Sequence, residues 1–156
     1  MKNEDDPLWD EPSKSLLGYC FYKLEPVAYL MNNPVKISII SPNGSTVGNL
    51  FCDVIAHDEH NNEYEEVPDN PIDLLGKSLY FRVNIGQAFD LPEIFCKGVH
   101  VEYVSFSDDI TYKTRSIEEK TINPIFDENF EHKIEYLTKE DIEFLSEKNV
   151  KLKILF

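Results

Sequence analysis

Apolar and polar residues alternate most regularly in two stretches near the middle of the chain, residues 79–85 and 99–103. Every second residue there is large and apolar: Leu79, Phe81, Val83 and Ile85, then Val99, Val101 and Tyr103. A period of two places such side chains on one face of a β-sheet. Residues 86–93, between the two stretches, contain the Gly, Asp and Pro that turns require. The pattern therefore predicts two neighbouring strands with one buried face, joined by an irregular loop.

Similar alternation predicts further strands on both sides of this centre. They are expected over residues 16–24, 35–40, 47–55, 129–136 and 150–156, with shorter edge pieces at 110–115 and 117–121. Between the second and third of these segments lies Asn43-Gly44, the strongest short-range signal of a β-hairpin. Thr138 and Asp141 have the spacing of an approximate capping box, which predicts a helix that stops near Asn149.

Together these elements predict a single all-β domain over residues 1–156. Its expected architecture is an antiparallel β-sandwich of about eight strands with one short helix. A chain of 156 residues is long enough to bury a sizeable core. The composition, 42% hydrophobic and 12% aromatic, is that of a globular protein.

Residues 57–73 depart from this pattern, because they contain seven acids, no Lys or Arg, and two prolines. A charge run of this kind predicts a solvated loop in preference to a binding element. We therefore interpret residues 57–77 as an acidic linker inside the domain. His57 and His60 fall within it, but no helix aims them at one point, so the sequence does not favour a metal site there.

The whole chain is strongly acidic, with a formal net charge of -14 and a pI of about 4.6. This charge argues against nucleic acid or an anionic bilayer as the default partner. Cys20, Cys52 and Cys96 have no Cys-x-x-Cys spacing, so we expect buried reduced thiols rather than a disulfide framework. No secretory leader and no membrane-spanning apolar run are visible, and we expect a cytoplasmic protein.

Several motifs resemble parts of the C2 domain. "VNIGQAFDLP" at 83–92 is similar to its first strand and loop, and "TINPIFDENFEHKI" at 121–134 to its Asn-Pro-hydrophobic-acidic-Phe segment. The rest of the C2 pattern comes from the front of the chain. "WDEPSKSLLGYCFYKL" at 9–24 resembles the acidic third loop and the strand after it, and residues 35–55 resemble the closing hairpin. The resemblance implies a C2-like sandwich with a circularly permuted strand order, in which the acidic segment joins the old ends.

The combined order of motifs also resembles the tail segment of kinesin-3 family motors, closest to the subgroup with a mitochondria- or membrane-cargo-binding tail. It runs from "DDPLWDEP" at 5–12 through "AYLMNNP" at 28–34 and "DLLGK" at 73–77 to the segment at 121–130. This resemblance implies a domain without ATPase activity, associated with the cytoskeleton. Its role would be protein contact: cargo attachment, dimer packing or autoinhibition. An independent cytoskeletal or ciliary scaffold protein with the same fold stays open as an alternative.

The C2 resemblance also implies an alternative function, that of a peripheral membrane module whose lipid binding either requires calcium or does not. The calcium candidates are the acids of two loops: Asp5, Asp6, Asp10, Asp90 and Glu93. A hard cation takes six to eight oxygen ligands, and the second loop supplies only two of these carboxylates, so solvated acidic loops are favoured. The candidates for lipid head groups are Lys113, Arg115 and Lys120. Neighbouring acids weaken that patch.

No nucleophile elbow, phosphate-binding glycine loop or paired Cys/His motif is visible, so the sequence predicts neither an enzyme nor a cofactor. Protein recognition through edge strands and end loops is what remains. The partner-binding candidates are large apolar residues at one proposed loop end: Trp9, Phe89, Leu91, Ile94 and Phe95. Each of these residues is equally suited to a buried position that closes the end of the sandwich. Any membrane contact is expected to be weak, and any homodimer to form through the parent motor.

Overall fold

The computed structural model describes residues 16–95, 97–105 and 108–156, which form one eight-stranded antiparallel sheet. The strands are β1 (Leu16–Lys23), β2 (Val35–Ile40), β3 (Thr46–His57), β4 (Leu79–Phe89), β5 (His100–Val104), β6 (Thr111–Lys113), β7 (Ile125–Ile134) and β8 (Asn149–Leu155). The helices are α1 (Glu25–Ala28) and α2 (Lys139–Glu147), with 3-10 turns at Pro71–Leu74 and Glu93–Phe95. The all-β prediction, with about eight antiparallel strands and one helix longer than a turn, is confirmed.

The strands follow the order β6-β5-β8-β1-β2-β3-β4-β7 across the sheet. β1 pairs with β8 over its whole length, from Leu16 opposite Leu155 to Lys23 opposite Asn149. β1 and β2, by contrast, share one registered pair, Tyr19 opposite Ile40. This weak join divides the sheet into two four-stranded layers that enclose the core.

Side chains bring the two outer edges of the sheet, β6 and β7, close together. The ring of Tyr112 on β6 lies 4.7 Å from the ring of His132 on β7, and Tyr103 on β5 lies 5.8 Å from Phe130. Among the described residues no backbone ladder joins the two edges. The result is a nearly closed sandwich with a seam between β6 and β7.

The interior contains apolar side chains from both layers and from α2. The largest fully buried ones are Tyr22, Leu24, Val27, Ile39, Leu50, Leu79, Ile85, Phe126, Leu137, Leu145, Leu152 and Ile154. Cys20 and Cys52 are free thiols within this core, as predicted. Burial raises the pKa of Cys20 to about 12 and raises that of Cys52 as well. Cys96 lies outside the described residues.

The helix α2 begins and ends close to the predicted positions. The Thr138 hydroxyl accepts from the Asp141 N–H at 3.2 Å, and the Asp141 carboxylate accepts from the Thr138 N–H at 3.0 Å. This reciprocal capping satisfies two amide groups that the first turn leaves without helical partners. Ile142 and Leu145 turn toward the core.

The prediction that residues 79–85 and 99–103 form neighbouring strands is wrong. β4 pairs with β3 and β7, whereas β5 pairs with β6 and β8, so four strands separate them in the sheet. Alternation identifies the buried face of a strand but not the strand that lies beside it. The two strands belong to opposite layers, and Phe81 of β4 and Tyr103 of β5 both contact the His132 ring.

β4 is also longer than predicted, because Gly86 lies inside the strand rather than at a turn. The register with β7 shifts between Ile85 and Gln87, and a Cβ at Gly86 would lie 3.0 Å from the Phe51 ring. Glycine in a strand often marks such a bulge or close approach. The strand therefore continues to Phe89 before the chain turns.

Replacement of Gly48 by alanine should destabilise the protein far more than the same replacement at Gly44. Both glycines have positive φ, but a Cβ at Gly48 would lie 2.6 Å from the Phe89 carbonyl oxygen, whereas a Cβ at Gly44 would have nothing within 4 Å. Left-handed backbone costs an L-residue about 1–2 kcal/mol. We expect roughly that loss for Gly44→Ala and about 3 kcal/mol or more for Gly48→Ala, measured by urea unfolding. Equal losses would contradict this close approach.

Candidate functional site

The loop end predicted to bind calcium lies only partly within the described residues. Asp5, Asp6 and Asp10 belong to residues 1–15, which are outside the description. Asp90 is exposed, with a φ of 58°, and its N–H donates to the Asn123 side-chain oxygen at 3.0 Å. Glu93 is exposed in a 3-10 turn. Over residues 16–95, 97–105 and 108–156, no three His, Cys, Asp or Glu side chains are grouped so that they could hold a metal ion.

The predicted partner-binding residues differ widely in accessibility. Leu91 is 3% exposed and belongs to the core, so it closes the sandwich and is not available to a partner. Phe89 is half-buried, with the Lys36 ammonium 4.3 Å from its ring centroid. Ile94, by contrast, is 80% exposed. Trp9 and the side chain of Phe95 lie outside the described residues.

The predicted lipid-binding residues do not share one strand. Lys113 is the last residue of β6, whereas Arg115 and Lys120 follow in the connection to β7. The Arg115 N–H donates to the Glu128 carboxylate of β7 at 2.6 Å, which draws this part of the chain toward the seam. The sequence places these three cations in the strands predicted over 110–115 and 117–121. That placement is wrong, because β6 ends before Arg115.

A groove of about 330 Å³ lies beside Lys113, on the outer face of β5, β6 and β8, and is here called the lysine groove. Its lining consists of Glu102, Tyr103, Val104, Thr111, Phe144, Asn149, Val150, Lys151 and Lys153. Alternation along β8 points Lys151 and Lys153 outward, while Leu152 enters the core. Val104, 53% exposed, adds apolar surface. The groove therefore combines apolar side chains with two ammonium groups.

Positive charge predominates on this face of the sheet. Glu102 is opposite both Lys113 and Lys153 in the strand register, and its carboxylate lies 3.7 Å from the Lys113 ammonium. The Lys151 ammonium lies 4.0 Å from the ring centroid of Tyr19. Among the described residues that line or border the groove, three lysines thus accompany one carboxylate, although the whole chain carries a net charge of -14.

Sequence reasoning missed Lys151 and Lys153. The alternation "VKLKIL" at 150–155 shows that both lysines face away from the core. It does not show that β5 and β6 lie alongside. Only the pairing of β8 with β5 brings these lysines next to Glu102 and Lys113.

A second cluster of reactive groups lies at the seam, around His132. The Ser105 hydroxyl is 3.3 Å from His132 Nδ1, and the Tyr103 hydroxyl is 2.6 Å from His132 Nε2. A serine beside a histidine is a familiar arrangement for nucleophilic catalysis. Ser105, His132 and Tyr103 are, however, only 2%, 5% and 3% exposed, so no substrate reaches them. The cluster serves to join the two layers.

The electrostatics of the seam favour a neutral His132. Burial lowers the pKa of His132, although the carboxylates of Asp108 and Glu131 oppose this effect. Tyr112 donates to the Asp108 carboxylate at 2.7 Å, which lowers the pKa of Asp108. Burial also raises the pKa of Tyr103. The seam therefore contains a neutral imidazole between neutral hydroxyl groups, as its low exposure requires.

No protein-family model matches the chain, and no curated protein matches it with significance. In the part of the chain that the structure describes, no helix has the length and apolar character needed to cross a membrane. The fold and the site define the chain as an all-β sandwich with a positively charged groove on one sheet face.

The stability of the protein should fall as the pH drops below about 6.5, partly because of His132. The pKa of its native imidazole is lowered, so the unfolded chain takes up this proton first. The stabilisation is complete above the unfolded pKa and is lost as the pH falls toward the lower native value. Each tenfold difference in proton affinity corresponds to about 1.4 kcal/mol.

Urea unfolding of the wild type and of His132→Gln across this pH range measures the effect. Glutamine keeps polar atoms at the seam but does not titrate, so the variant should lose less stability between pH 7.5 and pH 5.5. Parallel profiles for the two proteins would show that His132 contributes nothing to the acid sensitivity.

Proposed function

We propose that the chain is a non-enzymatic tail domain of a kinesin-3-like microtubule motor. Its role would be protein–protein contact for cargo attachment, dimer packing or autoinhibition. The observation that carries the proposal is the pairing of β1 with β8. The resemblance requires the front and the back of this chain to contribute to one sandwich, and a ladder between Leu16–Lys23 and Asn149–Leu155, with one register shift between Leu16 and Gly18, meets that requirement.

The motifs that carry the resemblance lie where strands of the sandwich are connected to each other, which also supports the proposal. "DLLGK" contains Gly76, whose N–H donates to the Leu137 carbonyl at 2.8 Å. "TINPIF" contains Asn123, whose side chain accepts from the Asp90 N–H at 3.0 Å. These residues fix the backbone between strands, so the motifs describe a scaffold. Function would then depend on the surfaces that the scaffold presents.

The lysine groove is the surface that we assign to the partner contact. A concave site with an apolar floor and a cationic rim suits a protein segment that carries an acidic residue next to an apolar anchor. Val104 and Phe144 would contact the anchor, and Lys151 and Lys153 would lie close to the carboxylate. The cavity of about 330 Å³ has room for a few side chains rather than a whole domain.

A peripheral membrane module is the second candidate, and the lysines of this face are the observation that favours it. A basic residue near an anionic membrane surface contributes about 1 kcal/mol, so three lysines offset by Glu102 supply about 2 kcal/mol. The net charge of -14 opposes approach to the same surface. Protein recognition is the better assignment because the attraction is small and the groove is concave.

Charge reversal in the lysine groove should weaken partner binding. The variant with Lys151→Glu and Lys153→Glu is compared with a control that has Lys97→Glu and Lys139→Glu, two exposed lysines outside the groove. Pull-down uses the motor, forkhead-associated and coiled-coil segments of a kinesin-3 motor and its cargo adaptors. We expect one of these to bind the wild type and the control, and the groove variant to bind at least about tenfold more weakly.

The possible outcomes separate the two parts of the proposal. If the wild type binds none of the segments or adaptors, the motor-tail assignment is contradicted. If the groove variant binds as well as the control does, the assignment stands and the partner contacts another surface. Thermal unfolding of all three proteins checks that the substitutions leave the fold intact.

Vesicle cosedimentation distinguishes the membrane alternative. We expect little retention of the wild type on phosphatidylserine-containing vesicles at physiological ionic strength, and no change on addition of calcium, because the net charge opposes binding. The measurement is the fraction of protein in the vesicle pellet with and without calcium. Strong retention that disappears in the Lys151→Glu, Lys153→Glu variant would make the membrane module the better assignment.

A further inference from the structure

A second groove, unrelated to the lysines, lies where the acidic segment covers one end of the sandwich. It consists of two adjoining depressions of about 520 and 130 Å³ that share Leu30, Tyr64 and Val67 in their linings. The larger one is also lined by Glu66, Pro68, Asp69, Asp73, Leu74, Lys77, Ser78, Leu79 and Leu137, and the smaller one by Met31, Asn32, Ala56 and Glu63. We call the two depressions together the acidic groove.

Large apolar side chains are exposed in and beside the acidic groove. Met31 and Val67, which line it, are 50% and 51% exposed. Ile72 and Leu75, which flank the lining residues Asp73 and Leu74, are 43% and 52% exposed. Scattered apolar residues on a surface need no explanation, but exposed apolar side chains that line one depression, as Met31 and Val67 do, indicate an interaction site.

The backbone around this groove is held in place. Tyr64 packs against the core, and Asn70 caps the 3-10 turn through its side chain, which accepts from the Ile72 N–H at 3.1 Å. The Gly76 N–H and the Leu137 carbonyl connect the end of this segment to the start of α2. The exposed apolar residues of this segment thus belong to a loop that is solvated, as the sequence predicts, but is held by these hydrogen bonds and by the packing of Tyr64.

Charge selects the kind of partner that fits. Four acids line the acidic groove, Glu63, Glu66, Asp69 and Asp73, and Lys77 is the one cation among the described lining residues. The segment over 57–73 contains no Lys or Arg at all. An anionic membrane or a nucleic acid would be repelled. An apolar surface with an acidic rim complements a segment that combines apolar anchors with lysines or arginines.

We propose that the acidic groove binds a basic amphipathic segment of a partner protein. The apolar side chains of that segment enter the depressions and cover Met31 and Val67. Its lysines or arginines pair with Glu66, Asp69 and the other rim carboxylates. This proposal depends on the geometry of the acidic groove alone and holds whether or not the chain is a motor tail.

Fluorescence anisotropy with a labelled 18-residue peptide of lysines and leucines at amphipathic helical spacing tests the proposal. The first variant, Met31→Ser with Val67→Ser, removes two half-exposed apolar side chains of the lining. The second, Glu66→Gln with Asp69→Asn, removes two rim charges. The matched controls are Ile110→Ser with Ile125→Ser, and Glu118→Gln with Glu119→Gln, which alter similarly exposed residues outside the groove.

We expect the wild type and both controls to bind the peptide with affinities within about twofold of one another. The apolar variant should bind at least about tenfold more weakly. The charge variant should bind severalfold more weakly, with a smaller dependence on salt. A peptide with glutamate in place of lysine should not bind.

The proposal is overturned if the wild type fails to bind the peptide, or if the controls lose as much affinity as the groove variants. The latter result would mean that the peptide adheres to the acidic surface as a whole. The Lys151→Glu, Lys153→Glu variant should bind the basic peptide as well as the wild type does. Much tighter binding in that variant would show that acidic charge in general, rather than the acidic groove, attracts the peptide, and would also contradict the proposal.

Discussion

The ladder between β1 and β8 is the interaction on which the rest of this fold depends. It joins strands from opposite ends of the described chain. β8 also pairs with β5, and β5 pairs with β6. Without it, the unit of β5, β6 and β8, which contains the lysine groove, would lose its ladder to the rest of the sheet. Closing so long a loop costs entropy, but that cost grows only slowly with chain length. The buried side chains that the ladder aligns, such as Cys20 and Leu152, offset it.

Closure of the sandwich poses a second constraint, because the sheet has two free edges. Edge strands expose unpaired backbone groups and invite association with other chains. Here the seam is covered by aromatic rings and by hydrogen bonds between His132 and the hydroxyl groups of Tyr103 and Ser105. Polar groups buried in this way all need hydrogen-bond partners. They find those partners in only a few alignments of β5 with β7. The cluster of Ser105, His132 and Tyr103 has the composition of a catalytic site, but its role is to hold the two edges of the sheet together.

Most of the local structure could be predicted from the sequence, because its signals are local. Asn43-Gly44 does join two antiparallel strands, and the Thr138 capping box does start α2. The neighbours of each strand could not be predicted, since alternation gives the buried face and not the register. Gly86 was misleading for a similar reason. A glycine looks the same in the sequence whether it begins a turn or, as here, admits the Phe51 ring of the adjacent strand.

The candidate sites were less predictable than the fold, because they depend on residues that meet only through the sheet. Leu91 looked like a surface anchor but belongs to the core, while Lys151 and Lys153 looked like ordinary polar positions of a last strand. Residues 57–73 looked like a solvated loop because charge dominates their composition. The exposed Val67 has significance only once Met31, from a distant part of the chain, lies beside the same depression.

The two grooves lie on either side of α2, which determines how they can influence each other. Leu137, just before the helix, lines the acidic groove, and Phe144 lines the lysine groove, about 10 Å farther along the helix axis. At physiological ionic strength the Debye length is about 8 Å, so charges of the two sites that lie farther apart than this are largely screened from each other. α2 itself is capped and is anchored through Ile142 and Leu145. It provides no hinge, so the grooves should act independently. A partner that used both would gain affinity because its two segments are linked, and not because the domain changes shape.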